Sequence, residues 1–263
     1  LIKGRGFTYE KFNFPCGETH IKIKEIHDEV VGVSWYYERD AEIYELLLLC
    51  DTLRLHRLRL SDLYIPYVPA SRQDRVNEKG ECFSLRTVCR IINLCGAEKV
   101  TIVDPHSDVT PALLDNCVVR TQADIFGWQL PKKPYNLICP DAGAAKKIQK
   151  LAAISPCASI IQCRKCRTSD GKVYVDVPEH YEIDIADYDS YVVDDICDGG
   201  ATFIKIGEQL RRYQEDSEMK MKNVLMVTHG FFTKGMAVLY PYYDEIYTMK
   251  GRVYAAPTVE TEA

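Results

Sequence analysis

Short runs rich in β-branched residues recur along this chain, each followed by an amphipathic stretch of helical length, and this alternation restricts the fold more than any other feature. It is the pattern of an α/β protein, a mainly parallel sheet with helices packed on its faces. In the first half the expected strands are Ile21–Ile26, Val30–Tyr37, Leu63–Tyr67 and Lys99–Val103. Between them, Asp40–His56 carries Leu46, Leu49 and Leu53 at helical spacing with Asp40 as its cap. A second helix, Phe83–Leu94, stops at Cys95-Gly96, where glycine can turn left-handed. The second half restates the scheme, with strands Tyr135–Cys139, Ser159–Gln162, Ser190–Val193 and Asn223–Val227 and helices near Ala144–Ala153 and Thr202–Arg212.

At 263 residues the chain exceeds the usual domain size of about 100–200 residues. Two similar α/β units are therefore expected, residues 1–127 and 128–263, joined near Ile125–Pro134. A hydrophobic content of 46% and a charged content of 27% suit soluble globular domains. The longest apolar run, Leu46–Cys50, is far short of the roughly 18–20 residues of a membrane span, and no charged-then-apolar leader precedes it. These features predict a soluble cytoplasmic protein with no membrane partner. The eleven cysteines are scattered, and the close pair Cys163 and Cys166 has no second pair at zinc-ligand spacing, so they read as reduced, mostly buried thiols. A net charge of −5 provides no basic footprint for nucleic acid, and an anionic metabolite with a bound cation is the better partner.

Ligands of open parallel sheets bind at the carboxyl ends of the strands, so polar and glycine-rich residues after strands are the places to search. The sharpest such segment runs from Tyr191 through Asp194, Asp195, Asp198, Gly199, Gly200 and Ala201 to Thr202. Its glycines admit backbone amides to phosphate oxygens, a helix N-terminus adds partial positive charge, and Thr202 can donate a hydroxyl. Asp194 and Asp195 would then accept from ribose hydroxyls. An acidic turn before an ordinary helix is the plainer alternative, and twin acids after an apolar strand make it the weaker one. A second segment, Tyr67–Arg75, offers the guanidinium forks of Arg72 and Arg75, with Gln73 and Asp74 to fix them or contact a nucleotide.

The Asp194–Thr202 segment resembles the phosphoribosyl pyrophosphate loop of type I phosphoribosyltransferases and of the synthetases that make their substrate. Tyr67–Arg75 is similar to a synthetase motif that embraces ATP and has no counterpart in the transferases. Val103–Asp108 resembles the synthetase stretch in which a histidine binds the ATP-bound metal, which points to His106. Cys139–Lys146 is similar to the family's Pro-Asp-x-Gly-Gly turn, which makes Asp141 the second metal-side residue. Ile160–Val173 looks like the family's mobile catalytic flap, whose Lys-x-Arg pair matches Lys165 and Arg167; counted from Ile161, Arg164 and Lys165 take those places. Phe14-Pro15-Cys16-Gly17-Glu18 is similar to an adenine-side loop, which adds Phe14 and Glu18 to the ATP set, and Thr228–Phe232 matches a Thr-His-x-x-Phe segment. His20, His27, His56 and His180 are read as structural or surface histidines.

What the resemblance to the phosphoribosyl pyrophosphate synthetases implies is two tandem type I phosphoribosyltransferase-like domains, the first on the ATP side and the second with the ribose-phosphate loop and flap. The implied reaction moves the β,γ-diphosphate of ATP to the C1 hydroxyl of ribose 5-phosphate, with Mg2+ and without a covalent intermediate. A homo-oligomer, dimer or hexamer, is implied as well. Magnesium prefers oxygen ligands and keeps several waters, so no dense protein cluster is needed. Two departures matter. The family loop reads Asp-Thr-Gly-Gly-Thr where this chain has Asp198-Gly199-Gly200-Ala201-Thr202, which removes a hydroxyl and is expected to open space for a substituted phosphate such as ADP-ribose, an acceptor used in NAD salvage. The chain also begins 13 residues before Phe14 and ends soon after Asp244–Thr248, so terminal helices of the family are expected to be absent. The rivals are a phosphoribosyltransferase, disfavoured by Arg72–Arg75, and a non-catalytic regulatory homologue, disfavoured by Lys165 and Arg167.

Overall fold

A computed structural model describes residues 1–167, 173–178, 185, 187–215 and 221–256, with the backbone alone for Arg167 and Val173. The expected Thr168–Lys172 portion of the flap and His180 lie outside the described residues. The chain divides into two compact units, Leu1–Thr121 and Gln122–Ala263.

The first unit is a five-stranded sheet in the order β1 (Ile2–Arg5), β4 (Val30–Trp35), β5 (Arg59–Ile65), β6 (Val100–Val103), β7 (Cys117–Arg120). β1 runs antiparallel to β4, and the other neighbours are parallel. Helices α1 (Ala41–Leu55), α2 (Ser84–Leu94) and α3 (Val109–Leu113) form crossovers. Leu46, Leu49 and Leu53 are fully buried on one face of α1 beside Trp35, Leu63 and Ile65. Burying a leucine of this kind is worth about 1.5–3 kcal/mol. Asp40 does not cap α1 as expected: its carboxylate instead accepts the Tyr37 hydroxyl at 2.7 Å. The stop after α2 does follow the sequence, with Gly96 left-handed at φ 67°. A separate antiparallel hairpin, β2 (Phe7–Asn13) and β3 (Thr19–Ile26), is tied to α1 by Lys11, whose ammonium meets both Glu45 oxygens at 3.0 Å.

The second unit is a six-stranded sheet in the order β15 (Gly251–Ala255), β14 (Glu245–Thr248), β13 (Asn223–Gly230), β12 (Ser190–Cys197), β8 (Tyr135–Cys139), β9 (Cys157–Gln162). Only β14 and β15 pair antiparallel within it. Helix α4 (Gln122–Phe126) opens the unit, α5 (Ala145–Ala152) joins β8 to β9, and α6 (Ala201–Gln214) joins β12 to β13. β8 is buried throughout and β13 nearly so, as befits central parallel strands covered on both faces. Phe203, Ile206 and Leu210 of α6 complete a core with Val192, Leu225 and Tyr243. After β9 the chain forms a hairpin, β10 (Arg164–Arg167) with β11 (Val173–Asp176).

Candidate active site

In the first unit, β5 and β6 are parallel, with Leu63 opposite Val100, so the segments 66–75 and 104–108 leave the same edge of the sheet. Both turn sharply there. Ala70 (φ 62°) and Asp104 (φ 40°) are left-handed without being glycines, a conformation that costs about 1–2 kcal/mol and collects at binding sites. The two segments meet at Asp74. Its buried carboxylate accepts from Arg75 Nε at 2.9 Å and Nη2 at 3.2 Å. The Arg75 guanidinium holds that carboxyl below the usual range, assisted by the Ser107 hydroxyl and the nearby His106 and opposed by burial. Arg72, Gln73 and His106 are exposed around it. Sequence reasoning passed over Ser71, which is 3% exposed and whose hydroxyl has no partner among the described residues. Phe14 and Glu18 occupy the turn of the β2–β3 hairpin, closed by the Phe14 amide on the Glu18 carbonyl at 2.8 Å, and the Phe14 ring meets Phe12 edge-on at 5.3 Å.

In the second unit the acids after the apolar run are part of the strand itself. β12 was expected to end at Val193; it continues to Cys197 because β13 pairs with it as far as Gly230. Asp194 and Asp195 consequently alternate along the strand, and the loop proper starts at Asp198. Asp195 is buried and meets Lys147 Nζ of α5 at 3.3 Å. The Asp194 carboxyl is pushed well above the usual carboxylate range, chiefly by burial and then by the charges of Asp195 and Asp141. Its Oδ1 accepts the Asp195 amide at 2.9 Å. Asp141 follows β8. Its Oδ1 accepts the amides of Gly143 and Ala144 at 3.0 and 3.3 Å, while its Oδ2 meets Lys165 Nζ of β10 at 3.0 Å. The structure thus brings Asp141, Lys165, Asp194 and Asp195 together, and adds Lys147, which was missed although its place in the first turn of α5 after Asp141 was readable.

The loop 198–200 leads into α6, and Gly200, left-handed at φ 80°, has no side chain with which to cap the first amides of that helix. Such an N-terminus suits a phosphate. The segment after β13 is bound to this loop: the Thr233 hydroxyl and amide donate to Asp198 Oδ1 and its carbonyl at 2.8 and 3.0 Å, and the Phe231 amide donates to the Cys197 carbonyl at 2.8 Å. Phe232 is a third left-handed non-glycine residue, φ 49°, again just past a parallel strand. The Lys234 stem borders the space over Gly199. A methyl group on Gly199 would touch the Lys234 stem, 3.4 Å from Cε. The thiols of Cys139, Cys163 and Cys197, close to these residues, are each pushed to about 12 by burial, which keeps them from serving as nucleophiles.

No group of three or more His, Cys, Asp or Glu placed to hold a metal occurs among the described residues. Asp141, a half-buried carboxylate fixed by two amides and Lys165, suits a water-rich ion carried mainly by substrate phosphates, as magnesium is.

Two α/β units, each with a mainly parallel sheet crossed by helices, have the fold of the phosphoribosyltransferase-like proteins. The phosphoribosylpyrophosphate synthetase of Mycobacterium smegmatis has this fold, with a TM-score of 0.70 over 92% of this chain and 80% of that one at 19% identity. No protein-family profile matches the chain. Curated relatives do. The ribose-phosphate pyrophosphokinase of Pyrococcus furiosus is 31% identical over 228 residues, 84% of this chain and 77% of its own length. That of Thermococcus kodakarensis is 30% identical over 226 residues with the same coverage. The chain belongs to the ribose-phosphate pyrophosphokinase family, a diphosphotransferase.

Proposed function

We propose that this enzyme transfers the β,γ-diphosphate of ATP to the C1 hydroxyl of ribose 5-phosphate, releasing AMP. The observation that carries this reading is the assembly of Asp141, Lys165, Asp194 and Asp195 on one sheet edge beside the Asp198–Thr202 loop. Asp198, Gly199, Gly200, Ala201 and Thr202 hold the 5-phosphate at the N-terminus of α6, and Asp194 and Asp195 orient the ribose through its hydroxyls. Asp194, kept protonated more readily than an ordinary carboxyl, can donate as well as accept. Phe14, Glu18, Arg72, Gln73, Asp74 and Arg75 hold ATP. Lys165 and Arg167 neutralise charge that develops on the transferred group, a step in which positioning and electrostatics supply most of the acceleration.

Magnesium carried by the triphosphate would supply charge neutralisation, with His106 as its candidate ligand in the first unit and Asp141 as a separate candidate in the second. The assembly is a homo-oligomer in the cytoplasm; the exposed Phe12 and Phe14 support an interface at the hairpin turn, and a reducing setting suits eleven thiols. Among the described residues no helix is long and apolar enough to cross a membrane. The test is AMP release from ATP and magnesium with each acceptor in turn, with the product mass recorded. AMP with ribose 5-phosphate alone supports the reading. AMP with ADP-ribose alone moves the acceptor, and AMP with neither sinks the catalytic assignment.

A further inference from the structure

The carboxyl edge of the second unit contains a cation that the reading above does not use. Lys234 follows β13, in a segment fixed to the loop 198–200 by the two Thr233 bonds to Asp198 and by the Phe231 amide on Cys197. Its stem lies against Gly199: a methyl group there would be 3.4, 3.5 and 3.6 Å from its Cε, Cδ and Cγ. A methyl group would only touch the lysine, but the γ atoms of a β-branched residue extend a further bond and would require the stem to move. Gly199 and Lys234 therefore belong together. The ammonium is one bond, about 1.5 Å, beyond Cε, so it is within about 5 Å of the position a Gly199 side chain would start from, in the loop that leads into α6. It forms no ion pair among the described residues, unlike Lys147 and Lys165, each of which meets a carboxylate.

We propose that Lys234 is a specificity-determining residue that binds the terminal phosphate of the acceptor, laid across the phosphate loop by the missing side chain at Gly199. This rests on the ribose 5-phosphate reading and deepens it. An amide nest and a helix terminus offer partial charges and favour any phosphate oxygen, whereas an ammonium gains more from a dianionic monoester than from the monoanionic diester of a substituted phosphate. A lysine is also a point charge on a flexible stem, and the Gly199 contact together with the Thr233 anchor restricts where that charge can go.

The experiment is steady-state AMP release at saturating ATP with ribose 5-phosphate varied, for the wild-type protein, Lys234→Met, Lys234→Arg and Gly199→Thr. Lys234→Met should raise KM for ribose 5-phosphate about 10-fold or more, the loss of one charge-assisted contact, with kcat within about threefold and KM for ATP unchanged. Lys234→Arg should restore most of the affinity. Gly199→Thr should raise the same KM, and adding Lys234→Met to it should cause little further loss, because the stem has already been displaced. A wild-type KM retained by Lys234→Met in an active enzyme overturns the assignment. So does an equal rise in KM for ATP, or an arginine variant no better than methionine. An inactive wild-type protein overturns the functional reading itself, so the two failures are told apart.

Discussion

Replacing Lys165 with methionine should separate a catalytic cation from a structural one. The Lys165 ammonium is 3.0 Å from Asp141 Oδ2, with 18% and 32% of the two side chains exposed. Two unit charges at that distance attract by about 5.5 kcal/mol at an effective dielectric of about 20, before the cost of removing them from water. The net loss should be much smaller. Asp141 keeps its two amide donors, Gly143 and Ala144, when the lysine is gone, so no orphaned charge remains and the loss falls near about 1 kcal/mol rather than the roughly 3–5 kcal/mol of a fully broken buried pair. In a chain of this size that is a fall in Tm of about 2–4 °C. A cation aimed at developing phosphoryl charge is worth far more to the rate, about 10²–10³ in kcat or roughly 3–4 kcal/mol. Single-turnover AMP formation and thermal unfolding of the same sample give both quantities. A kcat within tenfold of wild type in a folded protein, or a loss of rate that tracks a collapse in Tm, would refute the reasoning.

The raised Asp194 carboxyl makes its stability contribution depend on pH. The folded protein holds a proton that the unfolded chain releases, so the contribution is whole below the ordinary carboxylate range and declines as pH rises toward the folded value. Asp194→Asn should therefore raise Tm at pH 8 more than at pH 5 while impairing ribose phosphate use; an equal change at both pH values would count against it. Asp74 has the opposite sign. Its lowered carboxyl contributes stability above the ordinary range that disappears as pH falls, so Asp74→Asn should cost stability at pH 7 and little at pH 3 in urea melts. Gly200→Ala forces alanine into φ 80° and brings its methyl 3.3 Å from Leu239 Cδ2, which should cost about 1–2 kcal/mol by denaturant titration; no change would mean the loop relaxes freely.

Legibility followed burial. Tyr135–Cys139 can be read from its first to its last residue because it is buried on both faces and bounded by Pro134 and Pro140. Cys117–Arg120 and Phe7–Asn13 escape such a reading, since edge and hairpin strands are largely exposed and admit charge. The acids of β12 illustrate the same limit. Hydrophobicity stops at Val193, yet backbone pairing with β13 does not, and only the partner strand reveals that Asp194 and Asp195 are strand residues. Residue types at the site were legible because each stands beside a strand end in its own segment. The contacts were not. Thr233 and Asp198 are 35 residues apart, and the place of the Lys234 stem beside Gly199 arises from that long-range junction.

The ion pairs at these edges bear on how the site binds. Arg75 meets Asp74, Lys165 meets Asp141 and Lys147 meets Asp195. Phosphate oxygens and ribose hydroxyls compete for the two halves of such pairs, the first for the cation and the second for the carboxylate. Binding would then be largely an exchange of partners, which limits the cost of leaving a desolvated charge alone. Desolvation of both partners leaves only part of the Coulomb attraction in each pair available to stability, and the ammonium of Lys234, which forms no ion pair among the described residues, contributes differently. Among the described residues it meets no carboxylate, so its attraction for a phosphate would be offset by dehydration and ordering of the side chain but not by the loss of an ion pair. For that reason substitution at Lys234 should be read in KM and substitution at Lys165 in kcat, although both lysines are close to the same sheet edge.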